Sequence, residues 1–217
     1  MSKLYPFEYY GFAKSLVKTR LNPYYKAYIL HEYQAIYFPI AKVASSNLKG
    51  HLDLKNSPSL RLRKSDYEKY KHYFKFGFVR NPYDRIVSVY TDKTIRRIDN
   101  NFIRRYGHRF YGGMEFKEFV EALTTINPVL YDQHIAAQYA NLYEKGNSLL
   151  DFVGKYENLG NDLAYVADRI GLPFNKMPEA HNKSRQDSNY QDFYDDETEK
   201  IIQTIYARDI ETFSYQF

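Results

Sequence analysis

The sequence contains no cysteine among its 217 residues, so disulfide bonds and thiolate metal sites are excluded and a reducing compartment is allowed. No run approaches the ~20 apolar residues that a membrane-spanning helix requires. The first fifteen residues carry charges inside their apolar stretch, which argues against a signal peptide. We therefore expect a soluble cytoplasmic protein without a membrane span.

Tryptophan is also absent, whereas tyrosine and phenylalanine are abundant, with 24 and 15 residues. Because tyrosine packs its ring and keeps its hydroxyl hydrated, we expect most of these side chains in core or half-buried positions. A tyrosine-lined sugar or base platform is the alternative. No repeat, low-complexity tract or long linker divides the chain, which predicts a single domain over residues 1–217.

The formal net charge is +5 and the isoelectric point is about 9.0. A basic surface favours anionic partners such as nucleotides, nucleic acids, membranes or acidic glycans. Basic residues are densest at positions 61–64 and 96–105. A solvated face is the simplest interpretation of both clusters.

Short apolar runs alternate with amphipathic segments along the chain. This alternation predicts an α/β fold, a single P-loop-like three-layer domain whose central, mostly parallel sheet is flanked by helices. Residues 1–26 are expected to form a peripheral N-terminal helical segment, and residues 56–64 and 174–192 are expected to be loops. The predicted strands cover residues 28–30, 35–38, 73–79 and 151–155, and the predicted helices cover residues 5–20, 46–54, 65–72, 82–97, 115–126, 131–144, 158–170 and 195–211.

The first candidate site is the loop between the second predicted strand and the following helix. Backbone N–H groups at a helix N-terminus bind anions, and Lys42 adds a positive charge. The glycines of a Walker A loop are missing, so we expect a less contorted loop that binds a smaller or differently placed anion. An ordinary serine-capped helix is the alternative. The candidate nucleotide ligands are Lys42, Val43, Ala44, Ser45, Ser46 and Asn47.

The second candidate site begins at the end of the third predicted strand. Asn81 and Pro82 suit the cap and first position of a helix, which places Ser88 two turns further on. Arg80 can donate a forked pair of hydrogen bonds to a phosphate, and Ser88 can donate one more. Arg85, on the same helical face, is expected to add charge or to pair with a carboxylate. The alternative for Arg80 is a structural arginine that donates to carbonyls.

Both segments resemble motifs of sulfotransferases that use 3′-phosphoadenosine 5′-phosphosulfate (PAPS). IAKVASSNLKG resembles their 5′-phosphosulfate loop, and FVRNPYDRIVSVY resembles their 3′-phosphate motif. The segments YDQH, DFVGKYENL and DIETFSYQF are similar to carbohydrate sulfotransferases of the HNK-1 and N-acetylgalactosamine-4-O types. The resemblance covers residues 35–217. The family usually has proline directly before the loop lysine, where this chain has Ala41.

The resemblance implies transfer of a sulfuryl group from PAPS to a hydroxyl, with a carbohydrate as the expected acceptor. Catalysis of such a transfer depends on positioning and charge stabilisation, and Lys42 is the candidate for stabilising the leaving oxygen. No metal is expected, because the transferred group carries less charge than a phosphoryl group. In the nucleotide site, Tyr156 could stack, and Lys183 and Arg185 could reach the 3′-phosphate. A strand-edge core position and solvated charges are the alternatives for these three.

A general base must accept the proton of the hydroxyl, and the resemblance makes His134 the first candidate. Asp132 lies only two residues away, so helical geometry is not expected to turn it towards His134. The other candidates are His51, His72 and His181, followed by Glu115 and Glu118.

Three other functions are compatible with parts of this pattern. A P-loop-like small-molecule kinase would need Mg²⁺ ligands and normally the Walker glycines. A nucleic-acid-binding protein would need aromatic and basic residues interleaved on one surface, and we expect no nucleic-acid partner. A pseudoenzyme would keep the nucleotide site without the base.

Overall fold

The computed structural model describes residues 24–44, 48, 52, 54, 61–107, 109–173 and 189–217. The chain is mixed α/β with a mostly parallel central sheet and flanking helices, which confirms the predicted fold class. It divides into two compact units. The described residues from 23 to 81 and from 137 to 188 belong to the sheet unit, and those from 82 to 136 and from 189 onwards belong to the helical unit. The single domain over residues 1–217 stays a prediction, and the N-terminal helix predicted at 5–20 lies outside the described residues.

Strands in the described residues form one four-stranded sheet and two small pairs. In chain order they are β1 (Tyr24–Lys26), β2 (Tyr28–Leu30), β3 (Ala35–Phe38), β4 (Arg61–Arg63), β5 (Phe74–Val79), β6 (Tyr143–Glu144), β7 (Asn147–Ser148) and β8 (Phe152–Lys155).

The central sheet has the strand order β2-β3-β5-β8. Strands β3, β5 and β8 are parallel, while β2 forms an antiparallel hairpin with β3. The four strands predicted from the sequence are these four. Strands β2 and β3 are buried at every residue, as expected of apolar runs that are covered on both faces.

The small strands were not predicted. β1 pairs with β4, and β6 pairs with β7, both antiparallel. The predicted loop at 56–64 is therefore wrong for Arg61–Arg63, where Leu62 between two arginines is buried and the alternation is that of a strand. At the end of the segment predicted to be the N-terminal helix, Tyr24–Lys26 is strand β1.

The helices of the described residues follow the predicted order. They are α1 (Pro82–Tyr90), α2 (Asn100–Arg105), α3 (Phe116–Thr124), α4 (Tyr139–Leu142), α5 (Leu159–Ile170), α6 (Asp196–Ile205) and α7 (Ala207–Thr212), with 3₁₀ turns at Lys64–Tyr70, Pro128–Leu130, Tyr156–Asn158 and Tyr190–Phe193. Helix α2 was not predicted, the helix predicted at 65–72 is a 3₁₀ turn, and the helix predicted at 46–54 lies largely outside the described residues. Three further differences concern the bounds of predicted helices.

The first difference is that α1 passes into a π-helix at Thr91–Arg96. The second is that the predicted C-terminal helix breaks at Tyr206 into α6 and α7. The third is that the predicted helix at 131–144 is wrong, because residues 131–138 form turns and only Tyr139–Leu142 is helical. This third difference changes the interpretation of the candidate base.

Candidate active site

The loop that follows β3 carries two left-handed residues. Lys42 has φ of 68° and Ala44 has φ of 46°, while Val43 between them is not left-handed. The expectation of a less contorted loop is therefore wrong. A non-glycine residue in such a conformation costs about 1–3 kcal/mol and persists where the surroundings enforce it. Val43, between these two residues, is almost fully buried, so the loop is packed against the protein at its centre.

Alternation of left- and right-handed residues turns successive backbone N–H groups towards one point. Such concave arrangements of N–H groups bind anions, including phosphates, without a requirement for glycine. Two left-handed residues, Lys42 and Ala44, flank a residue that is not left-handed, which is compatible with such an arrangement. The loop is therefore a candidate for holding an anionic group, to which Lys42 would add a positive charge.

Arg80 follows β5 and is held at both its backbone and its side chain. The fully buried amide of Gln138 accepts from the Arg80 N–H at 2.9 Å and donates to the Arg80 carbonyl at 2.8 Å. Arg80 Nη1 donates to the carbonyl oxygen of Lys42 at 3.1 Å. The structural alternative for Arg80 is thus correct for one of its N–H groups, and this bond ties the end of β5 to the loop after β3.

Tyr156 lies directly after β8 and stacks under the arginine. The Arg80 guanidinium carbon is 4.3 Å from the centre of the Tyr156 ring, within the range of a cation–π contact. In the next residue, Glu157 accepts the N–H of Asn81 at 2.7 Å. These contacts fix the plane of the guanidinium.

Five of the predicted nucleotide ligands therefore lie at one edge of the sheet. The loop follows β3, Arg80 follows β5 and Tyr156 follows β8, so all belong to the carboxyl ends of parallel strands. In open α/β sheets this edge is where ligands bind. The residues brought together here are Lys42, Val43, Ala44, Arg80 and Tyr156.

The remaining predicted ligands are placed less completely. Ser88 is half-buried on α1 in the helical unit. The following candidates lie outside the described residues: Ser45, Ser46, Asn47, His51, His181, Lys183 and Arg185.

Arg85 was predicted either to add charge or to pair with a carboxylate, and in the structure it does neither. Its side chain is fully buried and donates to two backbone carbonyls, that of His134 at 2.9 Å and that of Ala136 at 2.6 Å. The guanidinium also lies 5.6 Å from the centre of the Tyr206 ring. Arg85 therefore stabilises the turn that carries His134.

Two buried tyrosines hold the same turn. The Tyr206 hydroxyl donates to the Ile135 carbonyl at 2.6 Å, and the Tyr106 hydroxyl accepts the Asp132 N–H at 2.7 Å. Within the turn, the Asp132 carbonyl accepts the N–H groups of Ile135 and Ala136. Residues 132–136 are thus fixed by side chains from three separate segments of the helical unit.

Asp132 and His134 face each other, contrary to the expectation from helical spacing. Asp132 Oδ1 accepts the backbone N–H of His134 at 2.8 Å, and Oδ2 lies 3.0 Å from His134 Nδ1. Burial alone would raise the pKa of the Asp132 carboxyl. Hydrogen bonds from His134 and the charges of His134 and Arg105 outweigh burial and hold that pKa below its usual value.

The other candidate bases are in less suitable surroundings. His72 is exposed on a turn of the sheet unit. Glu118 accepts from the Tyr111 hydroxyl at 2.6 Å and from the Glu115 N–H at 2.9 Å, and these bonds hold its pKa below the usual value. Glu115 and Glu118 together form the capping box at the start of α3. Their hydrogen bonds are those of helix capping.

Sequence reasoning missed four residues that support the site. Gln138, Tyr106 and Tyr206 had no motif or spacing that distinguished them from other polar side chains. Asp132 did have a signal, because a carboxylate lies two residues before a candidate base, but the sequence predicted a helix there. A turn brings residues two apart onto one side, whereas a helix separates them.

Comparison with known proteins gives the class. The profile described as the sulfotransferase family matches residues 25–216, and the chain belongs to this family. It is similar to carbohydrate sulfotransferase 14 of Danio rerio, at 33% identity over 116 residues, which are 48% of this chain and 31% of that protein. It is similar also to carbohydrate sulfotransferase 11 of Mus musculus, at 31% identity over 120 residues, which are 47% of this chain and 34% of that protein.

The matched region therefore spans about a third of the length of these two curated relatives. An uncharacterized protein of Archaeoglobus fulgidus is 35% identical over 101 residues, which are 46% of this chain and 70% of that protein. No solved structure matches significantly. Among the described residues, no helix has both the length and the apolar character to cross a membrane, and no group of three acidic, histidine or cysteine side chains could hold a metal ion.

Proposed function

We propose that this chain is a sulfotransferase that uses PAPS as its donor and a carbohydrate hydroxyl as its acceptor. The observation that carries the proposal is the edge of the sheet where a loop with two left-handed residues, Arg80 and Tyr156 come together. Membership of the sulfotransferase family supports the transfer of a sulfuryl group. The names of the relatives support a carbohydrate acceptor.

Each residue at this edge has a proposed task. PAPS supplies an activated sulfuryl group and, after transfer, leaves as 3′-phosphoadenosine 5′-phosphate (PAP). The N–H groups of the loop and the Lys42 ammonium stabilise the negative charge on the leaving 5′-phosphate oxygen. Arg80 donates to the 3′-phosphate from a plane fixed by Tyr156. Ser45, Ser46, Asn47, Ser88, Lys183 and Arg185 remain proposed additional ligands of the nucleotide.

His134 is proposed as the general base. As the acceptor oxygen forms its bond to sulfur, His134 takes the hydroxyl proton and the bond between sulfur and the leaving oxygen breaks. The electron pair of that bond stays on the 5′-phosphate. The imidazole then returns its proton to solvent.

The direct test is the transfer of radiolabelled sulfate from PAPS to a panel of glycans, with lipids and phenols as controls. We expect label on one or more glycans and none on the lipids. Transfer confined to phenols or lipids would contradict the acceptor, and no transfer to any hydroxyl would contradict the reaction.

The nucleotide site should select PAP over AMP. Loss of a charge-assisted hydrogen bond costs about 1.5–3 kcal/mol, so calorimetry should show AMP binding at least tenfold more weakly. Arg80→Lys keeps the charge but removes the fork, and it should lose much of this selectivity. Arg104→Ala, which removes an exposed arginine of α2, should leave the selectivity unchanged. Equal affinities for the two nucleotides would contradict the donor assignment.

Activity should persist in EDTA. A sulfuryl group carries less charge than a phosphoryl group, so Lys42 and the loop N–H groups can stabilise its transfer without a metal clamp. The measurement is the initial rate of transfer before and after chelation. A complete loss that Mg²⁺ restores would instead favour a kinase.

A further inference from the structure

We propose that Asp132 is a positioning residue that fixes the tautomer of His134 and so leaves His134 Nε2 ready to accept a proton. This inference rests on the proposed function, because it gives Asp132 a task only if His134 acts as a base. It gives a role to a residue of the YDQH segment to which the sequence comparison had assigned none.

Two nitrogen atoms of His134 contact the carboxylate of Asp132. The backbone N–H of His134 lies against Oδ1 and the ring nitrogen Nδ1 lies against Oδ2, at 2.8 and 3.0 Å. The backbone group can only donate. An ionised carboxylate can only accept, so it requires the hydrogen of the imidazole to be on Nδ1.

The carboxyl group of Asp132 is ionised although it is buried. Asp132 is only 9% exposed, a position where an isolated charge would be unfavourable. The pKa of its carboxyl is nevertheless below the usual value, because the bonds and charges of His134 and Arg105 outweigh burial. Asp132 is therefore ionised at neutral pH and imposes the Nδ1–H tautomer.

The second ring nitrogen of His134, Nε2, is not the one that contacts Asp132. The His134 side chain is 23% exposed, and within the described residues its ring is hydrogen-bonded to Asp132 through Nδ1. With hydrogen on Nδ1, the lone pair of the neutral ring is on Nε2. A hydroxyl that reaches Nε2 thus meets an acceptor.

The turn that carries His134 is held by side chains other than that of Asp132. Arg85, Tyr106 and Tyr206 are buried and bind backbone groups of residues 132–136. These bonds do not involve the carboxylate of Asp132. The turn should therefore persist when only the chemistry of that carboxylate is changed.

Asp132→Asn is the variant that separates shape from chemistry. If the amide oxygen keeps its bond to the His134 N–H, the amide NH₂ faces Nδ1 and draws the ring to the Nε2–H tautomer. If the amide flips, the His134 N–H loses its acceptor. We expect the kcat of sulfate transfer to fall about 10- to 100-fold, as when a carboxylate that orients a functional histidine is lost, with KM for PAPS and affinity for PAP unchanged.

A spectroscopic measurement tests the tautomer independently of activity. In ¹⁵N-histidine-labelled protein, the His134 signals, assigned by their loss in His134→Ala, should show Nδ1–H in the neutral ring of the wild type and Nε2–H in Asp132→Asn. Asp132→Glu, which retains a carboxylate, should recover part of kcat. Asp168→Asn removes an exposed carboxylate of α5 and should change neither measurement.

Two results would overturn the inference: an Nε2–H tautomer in the wild type, or an Asp132→Asn protein with unreduced kcat. If Asp132→Asn does not fold, as shown by thermal melting, the wild-type spectrum and the Asp132→Glu rate decide. If the wild type transfers no sulfate from PAPS, the proposed function fails, whereas the tautomer measurement still decides the role of Asp132.

Discussion

His134→Ala is expected to lower the rate of sulfate transfer by about 10²–10⁴-fold, the usual effect of losing a general base. Affinity for PAP should be almost unchanged, since the loop after β3, Arg80 and Tyr156 all remain. The fall should therefore be in kcat. Initial-rate kinetics at saturating PAPS, with calorimetry of PAP binding, measure both quantities.

The structure makes this substitution informative because the backbone contacts of His134 survive it. The His134 carbonyl still accepts from Arg85, and the His134 N–H still donates to Asp132. His72→Ala removes an exposed histidine of the sheet unit and should have little effect. If His134 only filled a polar niche, its loss would lower the melting temperature and spare kcat. A folded variant with normal transfer would remove it from the mechanism.

The central sheet could be predicted because its strands are short and almost wholly apolar. Ala35–Phe38 and Phe74–Val79 are short runs buried almost throughout, and Arg80 and Asn81 follow the second of them. Because strands β3 and β5 are parallel, the loop after β3 and Arg80 after β5 lie at the same edge of the sheet, at the carboxyl ends of the strands. The nucleotide half of the candidate site therefore follows from local patterns.

The turn at 131–138 could not be predicted in this way. Its sequence has the residue types of a helix, and a helix at 139–142 does follow it. Its conformation depends on Arg85, Tyr106 and Tyr206, which are distant in the sequence and bind its backbone groups. Tertiary hydrogen bonds thus override local propensity here, and the pairing of Asp132 with His134 was missed for the same reason.

The loop after β3 shows the limit of reasoning from glycine content. Its lack of glycine suggested ordinary backbone, yet Lys42 and Ala44 are left-handed. Tertiary packing supports this conformation: the Val43 side chain within the loop is buried, and Arg80 binds the carbonyl of Lys42. Arg80 is in turn fixed by Gln138, whose place in the sequence carries no signal.

Lys42→Ala is expected to lower kcat by about 10²–10³-fold, the usual effect of removing one group that stabilises charge developing in the transition state. The charge on the leaving oxygen grows as its bond to sulfur breaks, so the ammonium contributes more to the transition state than to bound PAPS. KM for PAPS should change by much less than kcat. Arg80→Lys should show the opposite pattern, with weaker nucleotide binding and a smaller change in kcat.

Alanine is the appropriate replacement at this position for a structural reason. It keeps a β-carbon, so the strain at φ of 68° is retained, whereas glycine would relieve it and change the loop. The carbonyl that binds Arg80 belongs to the backbone and survives the substitution. Lys42→Arg should recover part of the rate, and Lys200→Ala, on the exposed face of α6, should have none of these effects. Near-normal turnover of a folded Lys42→Ala protein would show that the leaving oxygen is stabilised by the loop N–H groups without the lysine.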